Sequence, residues 1–335
     1  MTESSVSAFN ALRVKEKSSD FYQVSVESVG PETLPREGVL IRVLWSSLNF
    51  KDSLSASGHK GVTRKFPHTP GIDAAGVVVD PAGSSFREGD EVIVTGYDLG
   101  MNTAGGFGEF IRVPAQWIIP KPAHHDLRYF MMLGTAGLTA GLSVERLATL
   151  VSPDQGEVLV TGATGGVGSL AVALLSHLGY AVVASTSKVD HSDFLARLGA
   201  RRVVERQFVD ELPEKPMLRS EWAGIVDTVG GTTLSSLLKT LAPGGAATTC
   251  GMVAGTEINT SIFPFILRGV TLFGIDSVEI PLERKAKIWS LFDQAWALPK
   301  IESIVQEVSL DELPNAIEKI RLGKQLGRVV LRHRH

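Results

Sequence analysis

From residue 157 onward, short apolar runs alternate with segments of helical spacing, and this alternation restricts the folds open to the chain. The runs are "EVLVTG" (157–162), "AVVAS" (181–185), "RVVE" (202–205), "AGIVDTVGG" (223–231), "AATTCGMV" (246–253) and "VTLFGI" (270–275). Between them lie "SLAVALLSHLG", "HSDFLARLGA" and "TLSSLLKTLAPGG", each ending near a glycine, as helices do. Strand–helix alternation of this kind predicts an α/β fold built on a doubly wound parallel sheet. The first strand runs into "VTGATGGVGSLAV" (160–172). Strand, glycine turn and helix together aim backbone N–H groups and the positive end of the helix dipole at one point, a seat for pyrophosphate. Gly162, Gly165 and Gly168 fall at spacing three, Gly166 adds another position without Cβ, and Thr164 and Val167 lie among them. Alone, the string also reads as a plain strand–helix turn; its place at the first turn of a doubly wound half favours the phosphate seat.

The same glycine turn fits short-chain dehydrogenases, whose chemistry needs a Tyr-x-x-x-Lys pair. Four residues after Tyr22, Tyr97, Tyr129 and Tyr180 stand Val26, Met101, Leu133 and Ala184, so no such pair exists. The second strand selects the cofactor. An NAD site ends this strand with an acid for the ribose 2′-hydroxyl. Here it ends "AVVASTSKVD", with Ser185, Thr186, Ser187 and Lys188 offering donors and a positive charge. A carboxylate would repel a 2′-phosphate, whereas these residues suit one, and the expected cofactor is NADPH. The alternative is a solvated polar turn.

Residues 1–125 carry a different rhythm of short β-branched runs punctuated by glycine and proline, including "GVLIRVLWSSLNF" (38–50), "AAGVVVD" (74–80), "DEVIVTGYD" (90–98) and "GEFIRVP" (108–114). They predict an all-β body with long loops. "PLERKAKIWSLFDQAW" (281–296) has the spacing of one longer amphipathic helix, and "LGRVVLRHRH" offers a last strand able to return to the first domain. The expected division is 1–125 with 280–335, and 126–279. A length of 335 residues suits two domains, and a net charge of −3 argues against nucleic acid as a partner. No apolar run approaches the ~18 residues of a membrane span, and the first residues lack a signal-peptide core. The single cysteine, Cys250, allows no internal disulfide and reads as a small buried hydrophobe. The expected compartment is the cytoplasm.

In order along the chain, "NFKDSLSASG", "PGIDAAGVV", "GDEVIVTG", "GTAGLTA" and "VTGATGGVG" resemble the medium-chain dehydrogenase/reductase family over nearly the full length. "SSLNFKD", "FPFILRGV", "GIDSV" and the ending "GRVV" are similar to its zinc-independent, quinone-oxidoreductase-like branch, and within that to bacterial acrylyl-CoA reductases. The resemblance implies a GroES-like β domain plus a Rossmann domain, a homodimer, and hydride transfer from NADPH to a carbon conjugated to a carbonyl. It sets Asn49 beside nicotinamide and substrate with Asp52 nearby, Thr135 at a helix start near the cofactor, and Arg206, Met252, Ile266 and Ser277 along the cofactor. Zinc-containing relatives have cysteine where Asn49 stands and a His-Glu pair where Ile72–Asp73 stand, so no metal is expected here.

Two positions depart from the subgroup: Phe50 replaces a tyrosine, and Ala104 precedes Gly105–Gly106 where tryptophan is common. Both are expected to open or depolarise the pocket. The stretch "GHKGVTRKFPHTPG" (58–71) brings His59, Lys60, Arg64 and Lys65 to a mouth that the resemblance sets beside the substrate. Clustered cations suit the phosphates of a CoA thioester, with Arg64 as the expected contact, and equally describe a solvated charged loop. Three activities follow: reduction of a short enoyl-CoA such as acrylyl-CoA, reduction of a quinone, or NADPH binding without turnover as a redox sensor.

Overall fold

The computed structural model describes residues 6–18 and 21–334. In chain order the strands are β1 (Phe9–Ser18), β2 (Phe21–Val29), β3 (Val39–Leu48), β4 (Asp73–Asp80), β5 (Glu91–Thr95), β6 (Phe110–Val113), β7 (Ile118–Pro120), β8 (Glu157–Val160), β9 (Ala181–Thr186), β10 (Arg202–Glu205), β11 (Trp222–Asp227), β12 (Leu241–Thr249), β13 (Thr271–Gly274), β14 (Val305–Val308) and β15 (Arg328–Arg332). The helices are α1 (Phe50–Ala56), α2 (Leu127–Leu147), α3 (Gly166–His177), α4 (Ser192–Arg197), α5 (Gln207–Asp210), α6 (Gly231–Leu237), α7 (Phe263–Arg268), α8 (Leu282–Asp293) and α9 (Leu313–Arg321). The chain divides into two compact units, one of Met1–Thr135, Val278–Gln294 and Val305–His335, the other of Ala136–Ser277 and Ala295–Ile304.

The first unit is β-rich, as its punctuated sequence predicts. β1 and β2 pair antiparallel, and a seven-stranded sheet runs β14-β15-β3-β4-β5-β7, with β6 also on β3. β3 shows the period-two rule of strands. Val39, Ile41 and Val43 enter a core with Val78, Val92, Val94 and Ile111, while Leu40 turns to the opposite cluster of Phe9, Ala11 and Leu34. Full burial of each such side chain stabilises by roughly 1.5–3 kcal/mol. The last strand, β15, pairs antiparallel with β3 and parallel with β14, so the tail "GRVV" is built into the interior of this sheet. The polar end of α8 is tied down as well. Asp293, nearly enclosed, accepts from the backbone N–H groups of His124 and His125 and meets both imidazole Nδ1 atoms, at 2.6 and 3.2 Å.

The second unit is a parallel six-stranded sheet in the order β10-β9-β8-β11-β12-β13. Its central strands are covered on both faces, which explains their unbroken apolar runs. The chain builds outward from β8 in one direction and then restarts at β11 in the other. The carboxyl ends of β8 and β11 therefore form the switch point where doubly wound sheets bind ligands. Among the described residues no helix is long and apolar enough to cross a membrane.

Candidate active site

Within the first unit the chemistry-bearing residues gather around Asp73, the first residue of β4, which is fully buried. Its Oδ2 accepts hydrogen bonds from Ser47 Oγ (2.5 Å), Asn49 Nδ2 (2.7 Å) and the Thr135 backbone N–H (2.8 Å). Its Oδ1 accepts from Thr135 Oγ1 at 2.6 Å. Thr135 reaches the carboxylate with both backbone and side chain because the preceding residue, Gly134, breaks the helical geometry of α2 with φ +54° and ψ −158°. A Cβ at Gly134 would stand 2.2 Å from Ser47 Oγ and 2.6 Å from Asp73 Oδ2, so only glycine fits.

Asn49 is held from both ends of its amide. Nδ2 donates to Asp73 and, at 3.2 Å, to the Ser47 carbonyl, while Oδ1 accepts from Arg328 Nη1 at 3.3 Å. Arg328, on β15, also donates to the carbonyls of Leu48 and Met132. Its Nη2 is buried and has no hydrogen-bond partner among the described residues. Burial lowers this guanidinium to about 10, against the pull of Asp73 and Asp52, so it stays charged at neutral pH. Asp52, in the first turn of α1, accepts the N–H groups of Asn49 (2.8 Å), Gly71 (3.1 Å) and Ile72 (2.9 Å). Burial pushes its carboxyl up to about 7, the charge of Asp73 adds to the rise, and the three backbone hydrogen bonds oppose it.

The loop cations and the two departing positions have contacts of their own outside the Asp73 hydrogen bonds. Arg64 is exposed, and its backbone N–H donates to Asn102 Oδ1. Lys60 is occupied elsewhere on the same loop, pairing with Glu16 at 3.0 Å and lying over the rings of Tyr22 and Phe66. Phe50 is 43% exposed, whereas Ala104 packs on the Phe9 and Leu40 cluster rather than among the polar groups around Asp73.

Within the second unit the glycine turn joins β8 to α3. Gly162 has φ +57°, and a Cβ at Gly168 would stand 2.3 Å from the Gly162 carbonyl oxygen, so the turn needs both glycines. Gly165 sits extended at the start of α3, with Gly166 and Val167 in the first turn and no acid there to oppose an anion. The end of β9 is laced to this turn. Ala163 N–H donates to the Ser185 carbonyl, Thr164 Oγ1 and Thr186 Oγ1 are 3.0 Å apart, and Lys188 N–H donates to Thr186 Oγ1. Ser187 is exposed beside them, and Ser185 Oγ is buried without a hydrogen-bond partner among the described residues. Lys188 is half-buried, and desolvation lowers its ammonium below the ordinary value. A glycine-rich turn, an unsatisfied buried hydroxyl and a desolvated ammonium fit a phosphorylated dinucleotide.

The other expected cofactor residues are spread over this unit. Arg206 N–H donates to the Thr186 carbonyl, which sets it at the end of β9, and its guanidinium is paired with Asp210. Ser277 is buried and accepts from Thr139 Oγ1 at 2.8 Å. Met252 and Ile266 are exposed, at 60% and 62%. Among the described residues, no three or more His, Cys, Asp or Glu side chains are placed to hold a metal ion.

Known proteins place this architecture. Residues 35–123 match the alcohol dehydrogenase GroES-like domain, and residues 166–293 match the zinc-binding dehydrogenase family. The chain is 43% identical over 326 residues to the putative quinone oxidoreductase YhfP of Bacillus subtilis, covering 97% of this chain and 98% of that protein. The chain is a medium-chain dehydrogenase/reductase. Within that family its likeness is to quinone-oxidoreductase-like members. Acrylyl-CoA reductase AcuI of Ruegeria pomeroyi is 38% identical over 325 residues, covering 96% of this medium-chain dehydrogenase/reductase and 98% of AcuI. Among solved structures, the yhdH oxidoreductase of Salmonella enterica in complex with NADP superposes with a TM-score of 0.93 at 37% identity, covering 97% of this chain and all of that one. YhfP with NAD bound gives 0.94 at 42%, covering 98% and 100%. Of the residues central to the cluster, Asp73 stands out in the sequence only as a zinc position of relatives, and Arg328 only as part of a tail motif. An acid inside the apolar run "PGIDAAGVV" is the signal that marks the first.

Proposed function

We propose that this chain is an NADPH-dependent reductase, working without zinc, whose substrate is an alkene conjugated to a carbonyl, with a short enoyl-CoA such as acrylyl-CoA the favoured case. The observation that carries this reading is likeness over nearly the whole chain to a protein named acrylyl-CoA reductase, at 38% identity. NADPH, when bound, supplies the hydride. The turn from Gly162 to Gly168, with Thr164, Gly165, Gly166 and Val167, seats the pyrophosphate. Ser185, Thr186, Ser187, Lys188 and Arg206 receive the 2′-phosphate, and Met252, Ile266, Ser277 and Thr135 flank the rest of the dinucleotide.

Asn49 meets the substrate oxygen as negative charge develops on it. Both amide hydrogens already have acceptors, so the longer bond, to the Ser47 carbonyl at 3.2 Å, is the one exchanged. Asp52 fixes the backbone on either side of that amide. Arg64, exposed on its loop, binds CoA phosphate, and remote contacts of this kind act on the thioester alone. We further propose a cytoplasmic homodimer. β13 lies at the edge of its sheet, and Ile262, Phe263, Ile266 and Leu267 nearby are exposed.

The likeness to YhfP favours a second reading, an NADPH:quinone oxidoreductase. A panel of acrylyl-CoA, a matched simple enone and a quinone, each at fixed NADPH, separates the two. The enoyl-CoA reading expects the highest kcat/KM for the thioester and a raised KM for it alone in Arg64→Ala. Good quinone turnover with none of the thioester leaves the quinone reading.

A further inference from the structure

One buried carboxylate stands at the sheet's switch point and has no role in the reading above. Asp227 ends β11, is fully buried, and is surrounded by donors. Oδ1 accepts from Thr161 Oγ1 (2.8 Å) and Val229 N–H (3.2 Å); Oδ2 accepts from Gly230 N–H (2.9 Å) and Thr249 Oγ1 (2.9 Å). An ionised carboxylate has about four lone-pair sites and no donor, and four donors meet it here. An asparagine in its place would turn an NH₂ against a backbone N–H.

These donors come from three different strand ends. Thr161 directly follows β8 and opens the glycine turn, Val229 and Gly230 follow β11, and Thr249 closes β12. Thr161 is held twice more, since its Oγ1 accepts Thr228 N–H at 2.9 Å and its carbonyl accepts Thr228 Oγ1 at 2.8 Å. The Asp227 carbonyl itself receives the Cys250 N–H at 3.1 Å. Beyond the strands the loops approach one another closely, twice backbone to backbone and once backbone to side chain. A Cβ at Gly251 would stand 2.0 Å from the Thr228 carbonyl, one at Gly230 would stand 2.3 Å from Gly251 O, and one at Gly162 would stand 2.4 Å from Thr228 Oγ1. With contacts this close, displacement at Asp227 has no slack to absorb it before it reaches Gly162.

We propose that Asp227 is the positioning residue of the dinucleotide seat, acting through Thr161 on the glycine turn and through Thr249 on the loop that carries Met252. This rests on the NADPH reading above. Asp227 touches no reacting atom in this scheme; it sets the register of three strand-end loops so that their N–H groups converge before the dinucleotide arrives.

The test is direct NADPH binding by fluorescence titration in Thr161→Val, Thr161→Ser, Thr249→Val and Asp227→Asn, with Tm and the substrate KM measured beside it. Thr161→Val, which removes the bond to Asp227 and the acceptor of Thr228 N–H, should raise the NADPH Kd at least about fivefold. Thr161→Ser, which keeps the hydroxyl, should bind within about twofold of the wild type. Thr249→Val should raise Kd in the same direction, Asp227→Asn most of all, and substrate KM should hold steady in the threonine variants. Should Asp227→Asn fail to fold, the threonine pair still decides. Folded Thr161→Val with unchanged Kd, or Thr161→Ser as impaired as Thr161→Val, overturns the proposal. A wild-type protein that binds no NADPH overturns the cofactor reading instead.

Discussion

Arg328 donates to the amide oxygen of Asn49 across 3.3 Å, although 279 residues separate them. The contact joins the end of the chain to the start of α1, and it fixes which way the Asn49 amide faces. With Oδ1 toward a cation, Nδ2 must face Asp73.

Asn49→Ala leaves Asp73 and Arg328 each short of a buried partner. Loss of about 1–3 kcal/mol is expected in urea unfolding. Asn49→Asp should cost more, because it sets a second carboxylate where Asp73 Oδ2 now accepts at 2.7 Å. An Asn49→Asp protein as stable as Asn49→Ala would contradict the amide orientation.

Asp52 makes stability depend on pH with a definite sign. Its carboxyl titrates at about 7 in the folded chain, against about 3.9 in an unfolded one. The folded state therefore binds more protons across that window, so this contribution is full below about pH 4 and lost as pH rises through 7. Asp52→Asn removes the ionisation. Its unfolding free energy should fall less steeply than the wild type's from about pH 4 to about pH 7, and parallel curves would refute the raised carboxyl.

For Asp293 the sign is the reverse. Burial raises its carboxyl, but hydrogen bonds from His124 and His125 outweigh burial and hold it below the ordinary value. Its contribution is present above about pH 4 and fades as acid protonates the folded group. Asp293→Ala should destabilise by about 1–3 kcal/mol near neutrality, since two backbone N–H groups lose their acceptor, and by progressively less in acid. Thermal unfolding across pH measures both parts, and a deficit that persists undiminished in acid would count against it.

Lys188→Ala tests cofactor choice. NADPH affinity should fall by roughly 1–3 kcal/mol, the range for a charge-assisted contact, with NADH hardly affected. Equal losses for both in a titration would remove the 2′-phosphate from the scheme.

Zinc independence is checked on the purified protein. Activity should survive EDTA, and elemental analysis should find no stoichiometric zinc; loss on chelation that zinc restores would refute it. Asn49 and Ile72 offer none of the thiolate and imidazole donors that tetrahedral zinc prefers.

The fold was legible where local pattern and burial agree. "RVVE" is β10 residue for residue, and the run 38–50 contains β3 (Val39–Leu48), because strands in these sheets write their environment into consecutive side chains. The tail's return was readable too, as a strand of β-branched residues, although not its partner. The β1–β2 pair and the short α1 escaped, the first lacking a turn signature and the second too brief for helical periodicity. The polar cluster was only half visible. Asn49, Asp52 and Thr135 follow from motif positions, but what unites Asn49 with Thr135 is Asp73, whose partners lie 24 to 62 residues away. Nothing local to residue 73 announces those partners, and nothing local to residue 328 announces Asn49.

Gly134 bears on how such a cluster can change over generations. A newcomer side chain there meets Ser47 Oγ, Asp73 Oδ2 and Arg328 Nη2 all within 2.7 Å, and a left-handed backbone as well. No single replacement at 47, 73 or 328 clears the space, because emptying one corner leaves two occupied. The four positions are locked as a set: drift can try variants elsewhere on α2 one at a time, but here it must move several residues together or not at all.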